Sequence, residues 1–133
     1  MDNNQVFDEV RAIILEALGV DEKEVDLKTR LIEELDAESL DFLDIVFRLE
    51  RSFGIKIPRG EIERNARGGL SDEEFEDNGM VTPEGLEALQ RVMPEVDPIY
   101  FKDGLAVRDI PRLFTVETFY NIVLAKIAEH ERT

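Results

Sequence analysis

The sequence predicts an all-α bundle. Apolar residues recur at helical spacing in four separate stretches, and residues that start or stop helices bound each of them. The chain has 133 residues, 43% of them hydrophobic, which suits one domain with a real core.

The first helix is expected to start near Asn3 or Asn4, both good caps, and to end at Gly19. Val6, Val10, Ile13 and Ala17 repeat at i, i+4, i+7 and i+11, with Phe7, Ile14 and Leu18 widening the stripe into a core face. From Val20 to Ala37 the chain is long for a loop. Asp21 and Glu24 have capping-box spacing for a short turn, and Val25, Leu27, Leu31, Ile32 and Leu35 can pin the segment down as a structured strap.

A second helix is predicted over Ser39–Phe53, stopped by Gly54 and the Ile55-Lys56-Ile57-Pro58 segment. At about 100° per residue its apolar positions fall on two sides. Phe42, Ile45, Val46, Leu49 and Phe53 form a core stripe; Leu40, Leu43 and Phe47 lie roughly opposite, beside Ser39 and among Asp41, Asp44 and Glu50. A surface helix needs one buried stripe, so the second has the character of a docking face.

After Pro58, Arg64–Gly69 reads as a flexible link, and Ser71-Asp72-Glu73-Glu74 as a capping box opening one short turn that ends at Asn78-Gly79. Thr82-Pro83-Glu84 is a strong helix start, with Leu86, Leu89, Val92 and Met93 as the apolar stripe and Pro94 as the stop. Ile99-Tyr100-Phe101, Leu105, Val107 and Ile110-Pro111 are anchors in an irregular strap. The last helix is capped by Thr115 and runs to about Glu129, burying Val116, Phe119, Tyr120, Val123 and Ile127.

Leu18-Gly19-Val20, a loop of about twenty residues, Asp36-Ala37-Glu38-Ser39-Leu40-Asp41 and then Ile57-Pro58 together resemble an acyl carrier protein. The resemblance runs from about Val6 to Ile62 and resumes at Leu113-Phe114-Thr115-Val116. It implies an acyl-carrier-protein-like four-helix bundle with an additional inserted helix and an irregular strap: a single domain over 1–133, with its core in 3–62 and 113–131 and an insert over 63–112. The segment from about Pro83 to Pro111 is expected to pack onto that core. By position Ser39 is the residue that would carry 4'-phosphopantetheine, whose thiol holds an acyl group as a thioester. Leu40, Leu43 and Phe47 correspond to the family's apolar docking residues, and Asp41, Asp44 and Glu50 to its acidic ones. The implied partners are a phosphopantetheinyl transferase and acyl-transferring or acyl-modifying enzymes with basic docking patches. The chain itself is then a monomeric carrier, not an enzyme.

Two positions depart from the family's pattern: Glu38 replaces the motif aspartate, and Asp36 stands where a glycine is usual, three residues before the serine. Glutamate is a poorer N-cap than aspartate, so Asp36 or Ser39 is expected to cap instead. Arg48 and Arg51 depart from the usual acidic helix and imply clients of a specialised lipid or fatty-acid-related pathway. On the motif alone Ser39 reads as an ordinary helix-cap serine; the second apolar face and the spacing to both flanking elements reverse that reading.

Composition narrows the alternatives. With 16 basic and 31 acidic residues the net charge is −15, which argues against nucleic-acid binding and suits partners with basic patches. There is no cysteine, hence neither a disulfide framework nor thiolate catalysis. The start of the chain lacks a signal peptide's basic and apolar regions and no apolar run could span a bilayer, so a cytoplasmic protein without membrane insertion is expected. His130, the single histidine, sits near the C-terminus, and no Ser/His/Asp set can be built around it. Glu74–Gly79 approaches a calcium-binding loop, but Gly85 stands at its twelfth position and the entering helix is lacking, so no metal site is expected. Two rival functions remain: an aminoacyl or peptidyl carrier, distinguished by its cargo, and an acidic helical interaction module that is never pantetheinylated.

Overall fold

The computed structural model describes residues 2–21, 25–58 and 61–131. In chain order the helices are α1 (Asn3–Leu18), α2 (Leu31–Leu35), α3 (Ser39–Phe53), α4 (Glu61–Ala66), α5 (Asp72–Phe75), α6 (Pro83–Val92) and α7 (Val116–Glu131). Strands β1 (Glu76–Asp77) and β2 (Met80–Val81) lie between α5 and α6. The chain forms two compact units, 1–57 with 114–133, and 58–113.

In the first unit α1 packs on both α3 and α7. The cap of α1 is Asp2 rather than Asn3 or Asn4: its carboxylate accepts from the Gln5 N–H, while the Gln5 side chain accepts from the Asp2 N–H, both at 2.9 Å. Gly19 stops the helix at φ 65°, a left-handed conformation that costs glycine nothing. Val6, Val10, Ile13 and Ile14 are buried, as are Ile45 and Leu49 of α3 and Val116, Phe119 and Val123 of α7. Aromatic rings tie the elements together. Phe42 stacks on Phe114 at 5.8 Å and meets Phe119 edge-on at 5.7 Å, and Phe7 meets Tyr120 edge-on at 5.7 Å.

The strap before α3 is held by backbone hydrogen bonds to the start of α7. The Leu31 N–H donates to the Phe114 carbonyl (3.1 Å), Val116 to Thr29 (3.1 Å) and Glu117 to Leu27 (3.0 Å). Val25 and Leu31 are buried, while Leu27, Ile32 and Leu35 are partly covered. The turn expected at Asp21 and Glu24 lies outside the described residues, since Glu24 is not among them. Thr115 begins α7 as expected: its hydroxyl accepts from the Thr118 N–H at 3.2 Å, and the Thr118 hydroxyl accepts from the Thr115 N–H at 3.0 Å.

The second unit corrects several expectations. Arg64–Gly69 is not a link: Arg64 to Ala66 complete α4, and Gly68 and Gly69 turn the chain at φ 59° and 89°. The short turn opened by Ser71 ends at Phe75 and not at Asn78-Gly79. Those two residues, at φ 53° and 82°, form the tip of a small antiparallel hairpin with Glu76 opposite Val81 and Asp77 opposite Met80. Two consecutive left-handed residues match the right-handed twist of paired strands, which is why Asn-Gly serves here. The stretch that approached a calcium loop is therefore this hairpin. In α6, Gly85, Leu86, Ala88 and Leu89 are buried with Met93 beyond them, but Val92 is 39% exposed and leaves the stripe. Phe101 and Ile110 anchor the strap, whereas Ile99 is exposed.

Candidate functional site: the turn before α3 and the outer face of that helix

The site begins with how α2 ends. The Asp36 N–H donates to the Ile32 carbonyl (3.2 Å), the single bond of an αL stop, and the Ala37 N–H closes back on the Leu31 carbonyl (3.0 Å). That geometry needs a left-handed residue, and Asp36 supplies it at φ 57°, ψ 33°. Aspartate tolerates this region better than most side chains, which accounts for its standing where the resembling family has glycine. Asp36 therefore ends α2 and does not cap α3. Ala37, 6% exposed, then fastens the turn to the core.

Glu38 follows in extended conformation, φ −111°, ψ 169°, as the residue that caps α3. Its carbonyl accepts from the N–H groups of Asp41 (2.9 Å) and Phe42 (3.2 Å), while the Asp41 carboxylate reaches back to the Glu38 N–H at 2.8 Å. A short acid three residues into the helix thus closes back on the residue that caps it, as in a capping box. Ser39 is the first helical residue of α3. The start of a 15-residue helix carries unpaired N–H groups and a partial positive charge, which suits the anionic phosphodiester of a phosphopantetheine arm.

The two sides of α3 differ, although Phe42, Val46 and Phe53 of the expected core stripe are only partly covered. Ile45 and Leu49 are fully buried, and Phe42 lies in the ring cluster. Opposite them Leu40 is 75% and Phe47 55% exposed, while Leu43 is partly covered. The three acids of this face each have a partner within the chain. Asp41 holds the helix start, Asp44 pairs with Arg48 at 3.1 Å, and Glu50 Oε2 accepts from the Ile57 N–H at 2.7 Å. Arg48 also reaches Glu16 at 3.4 Å, and these contacts, the Asp44 hydrogen bond foremost, raise its pKa above the usual guanidinium value. An open groove of about 720 Å³ runs along the C-terminal half of α3, lined by Phe47, Arg48, Arg51, Gly54 and Lys56 among others. Sequence reasoning missed this groove. Its signal was Lys56 between Ile55 and Ile57, an exposed cation held by two buried anchors.

A family model described as "Phosphopantetheine attachment site" matches residues 8–66. The chain is 43% identical over 61 residues to an acyl carrier protein of Borrelia garinii subsp. bavariensis, covering 46% of this chain and 76% of that one. It is 42% identical over 60 residues to an acyl carrier protein of Thermotoga maritima, covering 45% and 74%. An acyl carrier protein of Campylobacter hominis is 43% identical over 60 residues, covering 45% and 76%. No helix among the described residues is long and apolar enough to cross a membrane. The chain belongs to the acyl carrier protein family: a carrier rather than a catalyst, with 4'-phosphopantetheine attached covalently and with a phosphopantetheinyl transferase and acyl-handling enzymes as partners.

Proposed function

We propose that Ser39 bears the phosphopantetheine arm and that Leu40, Asp41, Leu43, Asp44, Phe47 and Glu50 make up the face that partner enzymes approach. The observation that carries this reading is the position of Ser39. It is the first residue of α3, follows a fixed left-handed turn and a buried Ala37, and falls within the matched residues 8–66. When attached, the arm supplies the thiol that holds an acyl chain as a thioester. The chain's own contribution is presentation: α2, Asp36 and Ala37 fix where α3 begins, and the N-terminal amides of α3 would favour the negative charge of an added phosphodiester. The transferase brings coenzyme A, the metal and the base.

The pathway served is, on this reading, a specialised lipid or fatty-acid-related one, and the protein works as a cytoplasmic monomer. Two features support specialisation. Most of 58–113 lies beyond the family match, and α3 carries Arg48 and Arg51 on its outward half. Residues 1–133 act as one carrier, of which 58–113 is the distinguishing segment.

Intact-mass measurement after incubation with coenzyme A and a broad-specificity transferase tests the attachment. One arm should be added to the wild type and none to Ser39→Ala, whose fold should be unchanged by circular dichroism. If the wild type and Glu38→Asp both stay unmodified, Ser39 is not the attachment site.

A further inference from the structure

The groove at the C-terminal half of α3 does not match the acidic character of the rest of the chain. Its lining holds three cations, Arg48, Arg51 and Lys56, against two carboxylates, Asp44 and Glu50, in a protein of net charge −15. The internal pairings sharpen the contrast. Arg48 is matched by Asp44 and Glu16, and Glu50 is held by the Ile57 amide. Arg51 and Lys56 are exposed, and neither forms an ion pair among the described residues. Phe47, an aromatic ring 55% exposed, lines the same groove. With Arg48 and Asp44 paired, two exposed cations stand against the one carboxylate of Glu50, so the balance left to answer a partner here is positive, beside an exposed apolar ring.

We propose that this groove is a docking subsite for a client segment that presents carboxylates to Arg51 and Lys56 and an apolar side chain to Phe47. The inference rests on the carrier reading, which makes α3 the face that clients approach. It deepens that reading by dividing the face in two: an N-terminal half beside Ser39 suited to basic groups, and a C-terminal half that repels them and selects acidic ones. Such selection works at contact distance. Beyond a Debye length of about 8 Å at physiological salt the chain's net negative charge is screened, and the nearest charges decide register.

The test uses the full chain, labelled with ¹⁵N, and two synthetic leucine-based helical peptides that differ only in carrying glutamate or lysine at their polar positions. The glutamate peptide should shift the amides of Phe47, Arg51, Gly54 and Lys56, and the lysine peptide should not bind there. In the Arg51→Glu/Lys56→Glu protein the affinity for the glutamate peptide should fall roughly tenfold, as reversing two surface charges predicts. Both positions are exposed, so the remaining amide spectrum should stay as in the wild type. Equal binding of the lysine peptide at these amides, no shift there with either peptide, or an unchanged affinity in the reversed protein would each overturn the proposal. Concentration-dependent shifts of the same amides without peptide would give the groove to a second copy of the chain and also overturn it. The titration is repeated on Ser39→Ala, where the groove result should be the same. Failure of the carrier reading appears in the mass measurement and failure of the groove in the shifts.

Discussion

Leu49 and Phe47 lie two residues apart on α3 and on opposite sides of it, so truncating each separates the cost of folding from the cost of partner recognition. Leu49 is fully buried in the unit that α1, α3 and α7 form. Leu49→Ala removes three carbon atoms from that interior, about 2.4 kcal/mol of transfer free energy at ~0.8 kcal/mol per carbon, before any cavity is counted. Partial collapse around the void brings the expected loss to about 3–4 kcal/mol, inside the range of about 2–5 for buried leucines. Phe47 is already 55% exposed. Since full burial of such a ring is worth about 1.5–3 kcal/mol, losing its covered part should cost about 1 kcal/mol. The contrast is read from urea unfolding followed by far-UV circular dichroism, comparing midpoints at unchanged slope. A loss for Phe47→Ser equal to that for Leu49→Ala would refute the two-sided helix, and with it the assignment of Leu40 and Phe47 to partners.

Three further outcomes are expected. Asp36→Gly should leave the protein as stable or up to about 1 kcal/mol more stable, since glycine relieves the left-handed strain but loses more chain entropy, and Asp36→Val should cost about 1–2 kcal/mol; thermal unfolding of the pair checks this. Gly85→Ala should destabilise the 58–113 unit by about 1–3 kcal/mol, read as faster hydrogen exchange in α6, because the added Cβ would lie 2.6 Å from the Phe75 carbonyl oxygen and 2.8 Å from Val81 Cγ1. The Ser71 N–H, and then its hydroxyl, hold the Glu74 carboxyl below its ordinary pKa. A depressed pKa contributes stability above the ordinary carboxylate value that is lost as pH falls through the lowered one. The α5 cap should therefore loosen only in that acid window, visible as pH-dependent shifts of the Ser71 and Glu74 amides that Glu74→Gln removes.

Much of the helical frame was legible in the sequence because its signals are local. Gly19, Gly54 and Thr82-Pro83 act through their own backbone, and the stripes of α1, α3 and α7 report burial at fixed spacing. What was hidden depended on partners distant in sequence or on conformations that a side chain only permits. The apolar anchors of the strap before α3 are legible, but its hydrogen-bond partners are residues 114–117, more than eighty positions on, and no local signal names them. Val92 fits a helical stripe by spacing, yet the elements packed on α6, namely α4, α5 and β2, leave it 39% exposed. Asn78-Gly79 has the residues of a turn's end and equally of a hairpin tip, and the structure makes it the tip. The strands they join are only two residues long, too short to show alternation.

Asp36 shows how a departure from a family's residue can preserve its geometry. The position three residues before the serine needs a left-handed residue, because α2 has to end and the chain has to reverse into Ala37, Glu38 and the start of α3. Glycine meets that need by having no side chain, and aspartate meets it by tolerating the conformation at modest cost. Glu38 and Asp41 divide a neighbouring task in the same way: one supplies the extended backbone of the cap, the other the carboxylate that binds it. Two substitutions that look damaging as residue identities thus leave the start of α3 where a carrier needs it. On the outer face of α3, by contrast, Arg51 and Lys56 are not compensated by any ion pair among the described residues. On the proposed reading, the left-handed turn before α3 serves the arm, and the exposed cations further along the helix serve the choice of client.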